Sequence, residues 1–241
     1  MNQKMHIIAL RQVKHSERHT ILSAYSLEAG RVAFAIPAGN GREASRMRAL
    51  LMPLGVAECV AYGKPGQEVM RMGGVRQLQS YNGLLMHPVK SAVALFMAEV
   101  LDLVLRDGDA DESVWHYVCD SVGVLDGIQA GRSANFHICF LWGLGRLLGI
   151  EPDTEGYRQG MVFDMIDGVF RVTAPLHRQW LNADESAAVY ALSRMNYTNM
   201  HLYRMSRLQR NALLDGELRY FSLHHTPLGA IKSLDVLRVL F

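Results

Sequence analysis

Glu28-Ala29-Gly30-Arg31-Val32-Ala33-Phe34-Ala35-Ile36-Pro37-Ala38-Gly39-Asn40-Gly41 is the stretch that sets the fold class. Val32, Phe34 and Ile36 alternate with their neighbours at period two, the pattern of a strand with one buried face. Gly30 supplies the positive φ that a tight hairpin needs, so this strand is predicted to pair with the preceding apolar run, Thr20 to Leu27. Upstream, His6 to Leu10 is another short apolar run. Downstream, Leu50 to Tyr62 and Val69 to Ser80 flank Gly63-Lys64-Pro65-Gly66, which reads as a turn, and Gly73-Gly74 predicts a bulge or sharp bend. Five short antiparallel strands within 80 residues fit a small closed barrel of the OB type, with a sandwich fragment as the alternative.

After Tyr81-Asn82-Gly83 the period changes. Pro88 suits the first turn of a helix, and Val89, Val93, Phe96, Val100 and Val104 then recur at three and four, with an end predicted near Arg106, before Asp107-Gly108-Asp109. A second helix is predicted over roughly 112–129, and a third after Ser133 as N-cap. The third is apolar almost all round, which places it centrally, and Gly143 and Gly145 would admit a close neighbour. Between Gly149 and Leu181 the helical period disappears. Met161 to Val172 reads as two short strands around Asp167-Gly168. Helices resume with Asp184 as cap and again at Ser206-Arg207-Leu208-Gln209, whose spacing is that of a capping box. The expected architecture is α+β, with an OB-type barrel over 1–80 and a helical domain over 81–241 carrying a hairpin insertion at about 150–182.

The net charge of +2 conceals an uneven layout. Lys+Arg against Asp+Glu runs 11 to 5 over residues 1–80, 7 to 15 over 81–185 and 7 to 3 over 186–241. Separated fields of this kind concern partners, and a polyanion suits the basic ends. The longest apolar run, Ile138 to Leu144, falls far short of the roughly 20 residues a membrane span requires. With no secretory signal pattern at the N-terminus, a cytoplasmic protein is expected. Cys59, Cys119 and Cys139 are far apart in apolar stretches and read as core thiols.

Two groups of basic residues carry the candidate chemistry. Arg42, Arg46 and Arg48 follow the third strand, on what reads as a mobile loop. With Arg11, Lys14 and Arg18 at the end of strand one and its loop, and with Arg31, they would make a positive barrel rim. In the second group, Ser186 to Leu214 lacks any acidic residue but holds Arg194, Arg204, Arg207 and Arg210 with Tyr190, Tyr197 and Tyr203. Arginine pairs bidentately with phosphate and stacks on bases, so nucleic acid or an acidic peptide fits. A solvated helix face with core tyrosines has the same composition. His224-His225 has no carboxylate or thiol at ligand spacing, and Asp164 with Asp167 reads as turn chemistry. No catalytic motif occurs, so neither enzyme activity nor a cofactor is expected.

Several segments in order resemble the RecO family of bacterial recombination and repair proteins. They are Ile7-Ile8-Ala9-Leu10-Arg11, Thr20 to Val32 with its Gly30-Arg31 turn, Pro88 to Leu101, Gly149-Ile150-Glu151-Pro152, and Ile231-Lys232-Ser233-Leu234-Asp235-Val236-Leu237. The resemblance implies a non-enzymatic mediator that binds single- and double-stranded DNA and anneals complementary strands. It also implies RecR, the single-strand-binding protein and the recombinase RecA as partners. Expected DNA contacts are Arg11, Lys14, Arg18, Arg31, Arg42, Arg46 and Arg48. Arg204, Arg207, Arg210 and Lys232 form a second patch, for DNA or an acidic partner tail. A non-catalytic scaffold that binds only acidic proteins is the alternative. Many relatives carry a four-cysteine zinc module after the Gly-x-x-Pro; residues 157–175 here contain no cysteine. A thiolate site needs thiolates, so no metal is expected and packing of Phe163 and Phe170 must hold the hairpin.

Overall fold

A computed structural model describes residues 2–39, 41–63, 67–106, 109–229 and 231–241. The chain forms two compact units, Met1–Gly127 with Ile231–Ser233, and Ile128–Ala230 with Leu234–Phe241.

In the first unit, β1 (Asn2–Lys14), β2 (His19–Ser26), β3 (Gly30–Pro37), β4 (Val56–Tyr62) and β5 (Met70–Gln77) close a barrel in the order β1-β2-β3-β5-β4. Gly30 turns the β2–β3 hairpin with φ +65°. The strands are not all antiparallel, as the sequence suggested. Five strands cannot alternate direction around a closed ring, and the odd pair is β3 with β5, parallel at Phe34 with Met70 and Ala35 with Arg71. The predicted bend at Gly73-Gly74 is a register shift opposite Val60, with Gly74 at φ +60°. The inward faces of Ile7, Leu22, Phe34 and Ile36 are fully buried.

Arg42, Arg46 and Arg48 do not sit on a loop. They belong to helix α1 (Arg42–Leu50), because Ala44, Met47 and Leu51 recur at three and four and bury against the barrel. Asn40, the Lys64–Gly66 part of the predicted turn, and Asp107-Gly108 lie outside the described residues. Three helices complete this unit: α2 (Asn82–Met86), α3 (Pro88–Val104) and α4 (Glu112–Gly127). Pro88 opens α3 as expected. Asn82-Gly83, read from sequence as a break, instead starts α2. A side chain at Gly83 would collide with the Asp126 backbone, and the Asp126 carboxylate accepts from the Leu84 N–H at 2.8 Å.

The second unit contains α5 (Phe136–Leu147), β6 (Val162–Asp164), β7 (Val169–Arg171), β8 (Trp180–Leu181), α6 (Ala183–Ser193), α7 (Arg207–His224) and α8 (Leu234–Leu240). Gly145 of α5 lies against Phe221 of α7, the close approach its lack of a side chain allows. The Asp167-Gly168 hairpin forms with Gly168 at φ +69°, and β8 adds a third strand along β6. Two caps differ from expectation. Ser133 does not cap α5: its hydroxyl donates to the Ala130 carbonyl, and the helix begins three residues later. Asn182, not Asp184, caps α6, in a reciprocal box with Glu185. The Ser206/Gln209 box at the start of α7 is present. Among the described residues, no helix is long and apolar enough to cross a membrane.

Candidate nucleic-acid interface

One end of the barrel gathers the predicted cations. Lys14 ends β1, and Arg18 lies in the turn to β2, whose carbonyl accepts from the Ala38 N–H just past β3. Helix α1 follows and is fixed there by the Gln12 side chain, which donates to the Leu51 carbonyl at 2.6 Å. Arg42 and Arg46, four apart, share an exposed face of α1. Lys14, Arg18, Arg42 and Arg46 make no ion pair among the described residues. Elsewhere on the barrel cations have acidic partners: Glu58 pairs with Lys4 at 2.7 Å and Arg76 at 3.3 Å, and Glu28 shares a 2.6 Å hydrogen bond with His6. Burial acts to raise the Glu28 carboxyl, but bonds from His6 and Ser26 outweigh it and hold it below its usual range.

Sequence reasoning missed Arg71. It is exposed and unpaired on β5, facing Ala35 two residues before β3 ends, a position set by the parallel closure of the barrel. No local pattern signals it. It depends on which strand β5 joins.

Three predicted contacts have structural partners. Arg31 is only 21% exposed at its side chain. It pairs with the Asp102 carboxylate at 2.7 Å and donates to the Asp102 carbonyl at 2.9 Å. Ser23 also donates to Asp102 at 2.6 Å, so this buried carboxylate ties β2 and β3 to α3. Arg11 approaches it at 3.8 Å, with half of its side chain exposed. Arg48 donates to the carbonyl of Gly39 at 2.7 Å, fixing the entrance to α1.

The second group is divided. Arg204 and Arg207 are exposed, without ion pairs among the described residues. Arg210 does not join them on an open face. It is 8% exposed, and its Nε and Nη2 donate to the Asn135 side chain at 2.9 Å and the Met205 carbonyl at 3.0 Å. Residues three apart are only about 60° apart around a helix, so what separates the two is the pair of acceptors that draws Arg210 inward, while Arg207 at the start of α7 stays exposed. Lys232 is exposed but belongs to the barrel-containing unit. Tyr197 stacks on Phe136 at 4.6 Å and Tyr190 on Tyr157 at 4.4 Å, so these tyrosines are packing residues.

Where zinc-bearing relatives would have cysteines, the hairpin is held by rings and one carboxylate. Phe170 lies 5.1 Å from Phe163 and 4.8 Å from Tyr157. Asp164, fully buried, accepts from Arg171 at 2.8 Å and from the N–H groups of Ile166 and Asp167. Burial would raise its carboxyl, but these bonds outweigh it and the net effect is downward. His224 shares a 2.7 Å hydrogen bond with the Met165 carbonyl and lies against Tyr220. None of the three cysteines is in a disulfide. Burial raises each, to about 12 for Cys59 and Cys119, so none is thiolate at neutral pH.

Two family descriptions match the chain: Recombination protein O N terminal over residues 1–81, and Recombination protein O C terminal over residues 87–235. Proteins named DNA repair protein RecO are similar over the full length. The one from Phocaeicola vulgatus is 35% identical and that from Bacteroides fragilis (strain YCH46) 33%, each covering all of both chains. The one from Porphyromonas gingivalis (strain W83) is 31% identical over 97% of both.

Proposed function

The chain belongs to the recombination protein O family, and on that premise we propose that it acts in DNA repair as a recombination mediator. In this reading residues 1–80 are the nucleic-acid-binding domain and 81–241 the helical domain with its hairpin insertion. The protein holds single- and double-stranded DNA, anneals complementary strands, and helps load RecA onto DNA covered by the single-strand-binding protein, with RecR as a further partner. It works without catalysis.

One observation carries this reading: Lys14, Arg18, Arg42, Arg46 and Arg71 are exposed around one end of the barrel without ion pairs among the described residues, whereas Lys4 and Arg76 pair with Glu58 and Arg31 with Asp102. These cations are spread over strands, a turn and a helix with no base-reading motif among them, so in this reading the contact is mainly to phosphates and tolerates sequence. Arg11 contributes at the margin. Arg48 holds the entrance to α1 in place, and Arg31, at the opposite end of β3, ties the barrel to α3. Arg204 and Arg207 offer a separate patch for a second strand or an acidic tail. The alternative, a scaffold for acidic proteins, uses the same cations and is separated by experiment. Pairing of two labelled complementary strands is followed by fluorescence quenching, with and without EDTA. Annealing that survives chelation and is lost in Lys14→Ala/Arg18→Ala/Arg42→Ala/Arg46→Ala is expected. A native chain that binds acidic peptide but neither anneals nor binds DNA favours the scaffold.

A further inference from the structure

The second compact unit encloses a partly open cavity of about 230 Å³ between α5, α6, α7 and the hairpin. Its walls are apolar, with Leu141, Phe163, Leu192, Leu213 and Phe221 among them. Two polar groups interrupt this surface. Glu217 of α7 is buried, and neither of its carboxylate oxygens has a hydrogen-bond partner among the described residues; nor has the indole N–H of Trp142 on α5. At the exposed margin stand Asp184 and Glu185, and no lysine, arginine or histidine lines the space.

An unsatisfied carboxylate in such surroundings is costly, and nothing in the packing demands one. A leucine or glutamine would suit the helix as well. Burial raises the Glu217 carboxyl well above the usual range and favours its protonated, uncharged form, which still lacks partners among the described residues. A cation that enters can displace that proton and form a charge-assisted bond in a site shielded from water. The acidic margin favours the same sign of charge on approach. Trp142 is a donor only and asks for an oxygen acceptor. As to size, an apolar cavity of roughly 150 Å³ takes benzene. The present volume therefore admits one ring with a short chain.

From this geometry we infer that the cavity binds a small organic monocation, an aromatic or hydrocarbon body with one ammonium group directed at Glu217 and one oxygen directed at Trp142. This site is independent of the basic barrel rim and of the DNA reading. An anionic ligand is disfavoured by the Asp184 and Glu185 carboxylates at the margin.

Tyramine is a suitable probe, compared with 4-ethylphenol, which lacks the ammonium, and with 4-hydroxyphenylacetate, which carries a carboxylate instead. Binding to the full chain is measured by isothermal titration, with tryptophan fluorescence as a second readout. Tyramine should bind at least tenfold more tightly than 4-ethylphenol, and 4-hydroxyphenylacetate more weakly than either. Glu217→Gln, which keeps the shape, should bring tyramine down to the level of 4-ethylphenol without lowering the melting temperature. Gly216→Leu should obstruct both, since a side chain added there meets open space in the cavity wall. Native protein that binds tyramine no better than 4-ethylphenol, or not at all, overturns the inference. So does a folded Glu217→Gln variant that retains the tyramine preference.

Discussion

The two groups of basic residues look alike in sequence and differ in structure. At the barrel end, Lys14, Arg18, Arg42, Arg46 and Arg71 stand exposed on three kinds of element; of the arginines that do have partners, Arg48 adjoins them on α1, and Arg31 sits at the opposite end of β3 beside Asp102. In the helical unit one member turns inward. Arg210 is buried on neutral acceptors, while Arg194, Arg204 and Arg207 remain at the surface. An arginine beside a buried acceptor holds structure, whereas an arginine without one is available to a ligand. The difference is set by which acceptors the fold brings alongside and by which strand meets which, not by residue type.

Substitution at Arg210 should produce the largest effect on folding. Arg210→Ala leaves the Asn135 oxygen and the Met205 carbonyl without this donor and opens space where the stem packed, a loss of about 3 kcal/mol. Urea denaturation measures it, and a loss below about 1 kcal/mol would place Arg210 with the exposed residues. On the barrel side, Asp102→Asn should cost about 2 kcal/mol, because Arg31 is then left largely buried with only neutral acceptors. DNA affinity should fall only as far as the rim loosens.

The interior around Arg210 also makes a prediction about acid. His137 is buried, and burial first, then the Arg210 charge, pushes its pKa down to about 3. The unfolded chain takes up a proton on this group below about pH 6.5 while the folded chain does not. Stability therefore falls as pH drops from about 6.5 toward 3, by about 1.4 kcal/mol per unit for this residue alone. His137→Phe should flatten the slope between pH 6.5 and 5; an unchanged slope would mean that His137 is protonated in the fold. The smallest expected effect on folding is that of Arg207→Glu, within about 0.5 kcal/mol of native, since an exposed charge contributes little. If titration with single-stranded DNA and with an acidic peptide is also unaltered, that face is only solvated.

Much of this was legible because local physics decides it. The period-two run of Val32, Phe34 and Ile36, the glycines at positions 30 and 168, Pro88, and the Ser206/Gln209 box each act within a few residues, and each appears where the sequence put it. The misreadings need tertiary information. Helix α1 is too short and too rich in arginine to announce itself, and it folds because the barrel offers a surface for Ala44, Met47 and Leu51. Arg71 becomes a rim residue only through the parallel β3–β5 pairing. The inward turn of Arg210 depends on Asn135, 75 residues away.

The central claim is that the unpaired cations at the barrel end neutralise DNA phosphates. The most direct measurement is the affinity for single-stranded DNA across a series of salt concentrations, for the native chain and for Lys14→Ala/Arg18→Ala/Arg42→Ala/Arg46→Ala. Log affinity should fall linearly with log salt, and the variant's slope should be shallower by about 0.7 for each contact removed, roughly 3 in all, with sequence preference and melting temperature unchanged. Equal slopes for the two proteins would contradict the claim and move the DNA contact elsewhere on the molecule.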